Sequence, residues 1–363
     1  MAKTLALTAY ILTFLTGLPS NLLVFYAFLL KVLRNPAPID IFLLNLTVSD
    51  IILLVFLPFK IVEADANMTW PLPSFLCPLT NFCFYSSIYT STLFLMGVSV
   101  ERYLCVAYPV AYKLNRKVSY ATAVSVFFWL LAYSHCSVIY IVENHNVSLS
   151  KSYNDTTCFM VFSESQLRIL LPVRLELCVV LFFLPFLITI FCYVNVIRIL
   201  ASLPNVPPHK KQRAMGLAVV TLLNFTICFG LFNISHIVGF IQNRSPNWRV
   251  EGFLLSTFNT TLDPAVFFYS SATIRRTFAH CWFGLCRKLQ AVASLCRLTC
   301  WKGPRNSSQG LGTERGSVSR LQGVFTVDGR LTDVSAEHAE KITGDSSHPA
   351  MCKQAHHTKH QQH

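Results

Sequence analysis

The chain has 363 residues and a formal net charge of +13. It is 53% hydrophobic and only 13% charged, with a mean hydropathy of +0.48. A water-soluble domain carries about 25% charged residues, so this composition excludes a soluble enzyme or binding module and indicates a membrane protein.

Seven long runs almost free of charge follow one another, at about 5–30, 39–62, 77–107, 118–142, 169–200, 212–241 and 250–272. Each approaches the roughly 20 residues that cross a hydrocarbon core. The predicted fold is an all-α membrane protein, a seven-helix transmembrane bundle. No internal duplication is visible, which argues against a repeat-built transporter. The first run has only Lys3 ahead of it and is longer than the apolar stretch of a cleaved signal peptide, so it reads as a retained signal anchor.

Basic residues sit between runs 1 and 2 (Lys31, Arg34), 3 and 4 (Lys113, Arg116, Lys117) and 5 and 6 (His209, Lys210, Lys211, Arg213). The alternate loops hold Glu63, Asp65, Glu143, Asp155 and Glu164 with fewer bases. The positive-inside rule then places the amino terminus outside and the carboxy terminus in the cytoplasm of a multi-pass protein. The positive charge becomes a cytoplasmic feature that attracts anionic membrane lipid and acidic partners, and it is no sign of nucleic-acid binding.

Of the thirteen cysteines, Cys77 opens the third run and Cys158 lies in the loop before the fifth, both on the outer side, where an oxidising exterior favours a bridge. The sequons at Asn67, Asn146 and Asn154 fall in outer loops and are glycosylation candidates. Inside the runs, Asp50 and Asp263 accompany Asn21, Asn45, Ser91 and Asn259 as a polar cluster able to hold a cation or water; a protonated, hydrogen-bonded carboxyl is the plainer alternative for either acid. Glu101-Arg102-Tyr103 ends the third run at the inner face, where an interfacial salt bridge would also account for it.

The fifth run contains "LLPVRLELC". A charge inside a membrane span costs at least ~2.5 kcal/mol on insertion scales, so Arg174 is a functional candidate. Its guanidinium stays protonated and offers a planar fork that meets a carboxylate with two bonds. Glu176 is two residues on, roughly 200° around a helix, and cannot face Arg174; Glu164 could pair with it. Arg249 beside Trp248 could be an interface anchor, and His236 a satisfied interior histidine.

After the seventh run, "SSATIRRTFAHCWFGLCRKL" alternates apolar and basic residues like an amphipathic helix on the inner leaflet. Cys281 and Cys286 within it are palmitoylation candidates. The domain division is 1–290 for the bundle with this short eighth helix and 291–363 for a disordered cytoplasmic tail too polar to build a core.

"GLPSN", "LNLTVSD", Cys77, "ERY", Trp129, Pro185 with Tyr193, and "DPAVF" occur in this order, one set per run. The set resembles the rhodopsin-like G-protein-coupled receptors over about residues 5–290. The stretches "ILLPVRLELCVVLFF", "FYSSIYTST", "VERYLCVAYPVAYKL", "GLAVVTLLNF" and "FNISHIVGF" are similar to the free fatty acid receptors for short-chain carboxylates, the second subtype nearest and the third next. The resemblance implies a plasma-membrane receptor for acetate, propionate and butyrate. It implies a carboxylate held by Arg174, His236 and Arg249, with Tyr85 and His135 as further pocket positions. It also implies a sodium and activation network at Asp50, Ser91, Asp263 and Asn259, an outer Cys77–Cys158 bridge, coupling to inhibitory and q-type G proteins through Glu101, Arg102 and Tyr103, and recruitment of arrestin by the tail. No resident cofactor is expected beyond an allosteric sodium ion at Asp50.

Three departures stand out. Leu231 occupies the place of a helix-kinking proline, Phe267 that of a tyrosine, and Phe159 and Met160 differ from the second subtype's tyrosine and acidic residue, which leaves chain-length preference open. A receptor for another small organic anion or a lipid is the nearest alternative. A transporter would show repeated halves, and an enzyme a nucleophile–base pair or helix-spaced metal ligands; the sequence has none of these marks.

Overall fold

The structure, a computed structural model, describes residues 2–115, 117–147, 158, 164–204, 207–271, 274–280, 283, 284 and 287. Among them there is no strand. The helices are α1 (Ala2–Arg34), α2 (Pro38–Asp65), α3 (Leu76–Ala107), a short α4 (Pro109–Asn115), α5 (Val118–Val147), α6 (Glu164–Cys178), α7 (Leu184–Ser202), α8 (Pro208–Gln242), α9 (Arg249–Thr257) and α10 (Asn259–Ser270), with one π-helical turn, Val179–Phe183, joining α6 to α7. Residues 278–346 form a second unit, of which 278–280, 283, 284 and 287 are described, all helical. The expected tail at 291–363, Cys281, Cys286, Asn154 and the Phe159-Met160 pair lie outside the described residues, as does the side chain of Asn146.

Local chemistry sets the helix ends. Pro36 follows α1, and a proline can neither donate its nitrogen nor leave its predecessor helical. Pro38 then opens α2, with Ala37 extended at φ −117° and ψ 149°. At the far end of α2 the chain turns through two left-handed residues, Asn67 and Met68, while the Met68 N–H returns to the Glu63 carbonyl at 2.9 Å. Asn243 ends α8 in the left-handed region, which asparagine tolerates better than most residues, and its N–H is shared between the Gly239 and Phe240 carbonyls.

Two interior prolines free carbonyls that lipid cannot hydrate, and neighbouring helices satisfy them. Pro185 cannot donate to the Leu181 carbonyl, which accepts instead from the Thr92 hydroxyl of α3 at 2.6 Å. Pro264 likewise leaves the Thr260 carbonyl to the Asn21 amide of α1, also at 2.6 Å. The π turn and the break before α10 are thus each locked to another helix by one side chain.

Among the described residues, six helices or helix runs are long and apolar enough to cross a membrane. The seventh expected span is present but interrupted at Phe258, so its halves of nine and twelve residues fall short singly. Around that break, hydrogen bonds tighten to i→i+3, as from Phe258 N–H to Leu255 O and from Thr261 N–H to Phe258 O. The helix α3 packs on α2, α5 and α7 and is buried along most of its length. The outward faces carry exposed Leu12, Leu15, Phe127, Leu130, Leu187 and Ile227, while Asn21, Asp50, Ser91, Asn259 and Asp263 are buried. That inversion of the water-soluble pattern suits a bundle solvated by hydrocarbon.

Candidate ligand site and signalling network

The outer end of the bundle is organised along α3. Cys77 in its first turn is bonded to Cys158, with an S–S distance of 2.09 Å, which pins the outer loop to the helix. One turn on, the Asn81 amide donates to Cys158 Sγ at 3.1 Å. One turn further, Tyr85 presents its hydroxyl to Arg249 Nη2 at 2.6 Å. The Arg249 guanidinium also lies 5.9 Å from the ring centroids of both Tyr85 and Phe232, within cation–π range.

Arg249 opens α9, and a glycine lets α9 come close. A Cβ on Gly252 would meet the Phe232 backbone nitrogen and Cα at 2.9 Å, so α9 rests directly on the α8 backbone there. One turn further along α8, His236 stands edge-on to Phe232, with centroids 4.6 Å apart. His236 is 3% exposed, lies within electrostatic reach of Arg249 and Arg174, and its Nδ1 has no hydrogen-bond partner among the described residues. Arg174, also 3% exposed, donates from Nη1 to Ser245 Oγ at 3.1 Å. Two guanidiniums and an imidazole thus converge at the outer ends of α6, α8 and α9. Gly252→Ala should force α9 off α8 and cost about 1–3 kcal/mol of stability; a thermal melt of the purified protein would register this as a lowered midpoint.

A half-open pocket adjoins this cluster, lined by Tyr85, Arg249, Phe253, Asn81, Tyr10 and the pair Lys60 and Glu63 among others. Sequence reasoning missed that pair. Glu63 looked like an outer-loop acid, yet it is 2% exposed in the last turn of α2 and takes a 2.8 Å bond from buried Lys60. The i,i+3 spacing in "FKIVEAD" was the available signal, since it puts both side chains on one helix face.

His135 takes a different position from its expected partners. Its Nδ1 is 2.8 Å from Glu176 Oε1, the two side chains are 30% and 42% exposed, and the contact joins α5 to α6. Like Arg174 and His236, neither residue lines the cavity. Glu176 is turned from Arg174, as the helical angle requires; the side chain of Glu164 is outside the described residues.

Deeper in the bundle, Asp263 accepts from Asn224 at 3.2 Å and from Asn259 at 2.8 Å. Ser91 donates to Ser49 at 3.3 Å. Both Asp50 oxygens are buried without a partner among the described residues. Asn45 does not join them: Trp129 of α5 donates to its Oδ1 at 2.9 Å. Five positions from Asp50 is about 140° around the helix, which carries Asn45 to another face.

The chain matches the rhodopsin family of seven-transmembrane receptors over residues 20–267. It is 46% identical to free fatty acid receptor 2 of Rattus norvegicus over 329 residues, covering 90% of this chain and 97% of that protein. It is 48% identical to free fatty acid receptor 3 of Homo sapiens over 281 residues, covering 77% and 80% respectively. Free fatty acid receptor 2 of Homo sapiens is 45% identical over 329 residues, with 90% and 97% covered. The chain belongs to the free fatty acid receptor family of rhodopsin-type receptors.

It is accordingly a receptor and not an enzyme. At the end of α3 remote from the disulfide, Glu101 accepts the Tyr112 hydroxyl of α4 at 2.7 Å, an element not foreseen in the sequence. The ring of Tyr103 packs edge-on to Tyr108 and Phe191. Arg102, next to Tyr193, has no partner at Nε among the described residues. The family departures take physical form here. The helix α8 runs through Leu231 as one 35-residue helix with no internal proline. Phe267 is 3% exposed and packs edge-on to Phe28 of α1 at 5.8 Å, an apolar contact in place of a hydroxyl.

Proposed function

We propose that this receptor answers short-chain carboxylates such as acetate, propionate and butyrate, and activates heterotrimeric G proteins of the inhibitory and q types. The observation that carries the ligand class is the convergence of Arg174, His236 and Arg249 at one end of an apolar bundle. Two buried guanidiniums repel each other, and a small anion relieves that strain. The Tyr85 hydroxyl holds one guanidinium in place, leaving its fork to meet a carboxylate with two bonds. His135, in contact with Glu176, would stand at the edge of the site.

The Asp50 oxygens, with Ser91, Asp263 and Asn259, offer hard oxygen donors that fit a sodium ion, whose charge would stabilise two neighbouring carboxylates. Glu101, Arg102 and Tyr103 would meet the G protein, the tail would take arrestin, and Cys281 and Cys286 would accept palmitate. The amino terminus would face outside at the plasma membrane, with glycans at Asn146, Asn154 and Asn67. An epitope at the amino terminus should then bind antibody on intact cells; staining only after permeabilisation would reverse the topology.

A ligand of about five heavy atoms binds at best with roughly 7.5 kcal/mol, so responses belong at high micromolar to millimolar concentrations. Cells expressing the receptor should lower cyclic AMP or raise calcium with propionate in that range and take up no more radiolabelled acetate than control cells. Uptake without G-protein activation would move the chain to the transporter class.

A further inference from the structure

The cavity beside Arg249 has a second polar wall that a simple carboxylate leaves unused. Glu63 Oε2 accepts from Lys60 Nζ at 2.8 Å, while Oε1 is buried with no hydrogen-bond partner among the described residues. Both side chains line the same cavity as Arg249, Tyr85 and Phe253. A buried carboxylate oxygen without a donor is unfavourable, because it has lost water and gained nothing. Lys60 neutralises the charge of Glu63 but is engaged at the other oxygen. What Oε1 lacks is a donor, and the sign of the surroundings selects which kind. An ammonium would add a third positive charge beside Lys60 and Arg249, whereas a hydroxyl would add none.

We propose that Glu63 forms a donor subsite that accepts a hydrogen bond from a ligand hydroxyl, so that the cavity favours short carboxylic acids hydroxylated at the end remote from the carboxylate. This rests on the carboxylate reading of Arg249. The acid group meets the Arg249 guanidinium, the methylenes lie against Phe253 and Val250, and the hydroxyl approaches the Glu63 carboxylate, whose Oε1 must turn toward the pocket to accept it. The pair Lys60 and Glu63 is then a specificity element of the receptor. It sits one helix away from Arg174 and His236, on α2.

The test compares 3-hydroxypropionate with propionate, 4-hydroxybutyrate with butyrate, and β-alanine with all four. G-protein activation and thermal stabilisation are the readouts, on the intact receptor and on the double variant Lys60→Met/Glu63→Met. Removing both charges together avoids leaving one buried and unpaired. In the unaltered receptor at least one hydroxy acid should exceed its parent acid by about tenfold in potency, and β-alanine should rank below propionate. In the double variant that ratio should fall below one, because the hydroxyl enters an apolar wall. Hydroxy acids weaker than both parents in the unaltered receptor, β-alanine ranked first, or a ratio unchanged in a surface-expressed double variant would each overturn the subsite. If the variant fails to reach the surface, the ranking in the unaltered receptor decides alone. Failure of the carboxylate reading would look different: propionate would keep its potency on Arg249→Ala.

Discussion

Arg174→Ala and Arg249→Ala, expressed at the surface as well as the unaltered receptor, should each be silent to propionate across the range in which the parent responds. The size of the effect follows from how little a five-atom ligand has to work with. Binding in the millimolar range corresponds to about 4 kcal/mol. Removing one partner of a buried charge pair costs about 2–5 kcal/mol, largely because the remaining charge is left incompletely paired. A loss of ~2 kcal/mol is roughly thirtyfold, which already moves a millimolar response beyond practical concentrations. Lysine at position 174 should restore part of the response, since it keeps the charge and loses the planar fork. The two positions should also differ in kind. Arg249 is oriented by Tyr85 at 2.6 Å, so Tyr85→Phe should weaken propionate less than Arg249→Ala does; Arg174 is held through Ser245. A matched dose–response series in which both alanine variants keep the parental potency would remove the carboxylate from this site.

Much of the bundle was legible because lipid imposes one demand at a time. Uncharged runs of sufficient length marked every span, and the observed helices extend them by a few residues into polar turns such as Lys31–Arg34 and Glu63–Asp65, where hydrogen bonding continues past the apolar stretch. Arg174 was legible for the same reason, as a charge in an apolar run. What escaped was whatever depends on which helix lies opposite. Glu63 ended an apolar run and resembled a loop acid until α1 and α9 enclosed it. His135 was grouped with the pocket by family likeness, and its contact with Glu176 of α6 was not foreseen. Asn45 was grouped with Asp50 as one more polar residue inside the runs, although the helical angle alone would have separated them. The break at Phe258 could not be read because the preceding residues, "LLSTFN", carry no proline or glycine; Pro264 acts a turn and a half later, and Asn21 reaches it from 239 positions away.

Arg102→Ala should abolish G-protein activation while leaving propionate binding to the isolated receptor unchanged. Distance makes the separation. Tyr85 and Arg102 lie seventeen positions apart on α3, and at ~1.5 Å per residue that is about 25 Å along one helix axis. No ligand of five heavy atoms touches both. Any influence of Arg102 on affinity must therefore pass through a coupled equilibrium between receptor states, and the part carried by the G protein is lost when the G protein is absent. The local contacts support a coupling role. Glu101 is engaged by Tyr112 from the short helix α4, so a partner that displaces α4 also alters the surroundings of this end of α3. Arg102 stands beside Tyr193 of α7, where an outward shift of α7 or α8 would uncover it. Because α8 is one continuous helix from Pro208 to Gln242 with no internal proline, a tilt at its end near His236 can be carried to its other end as a rigid swing. A ligand drawn to His236 and Arg249 can in this way alter the surroundings of Arg102 without approaching it. The measurement is nucleotide exchange on a purified G protein beside propionate-induced thermal stabilisation of the receptor alone. Lost stabilisation in Arg102→Ala with exchange intact would place Arg102 in the ligand site and defeat the assignment.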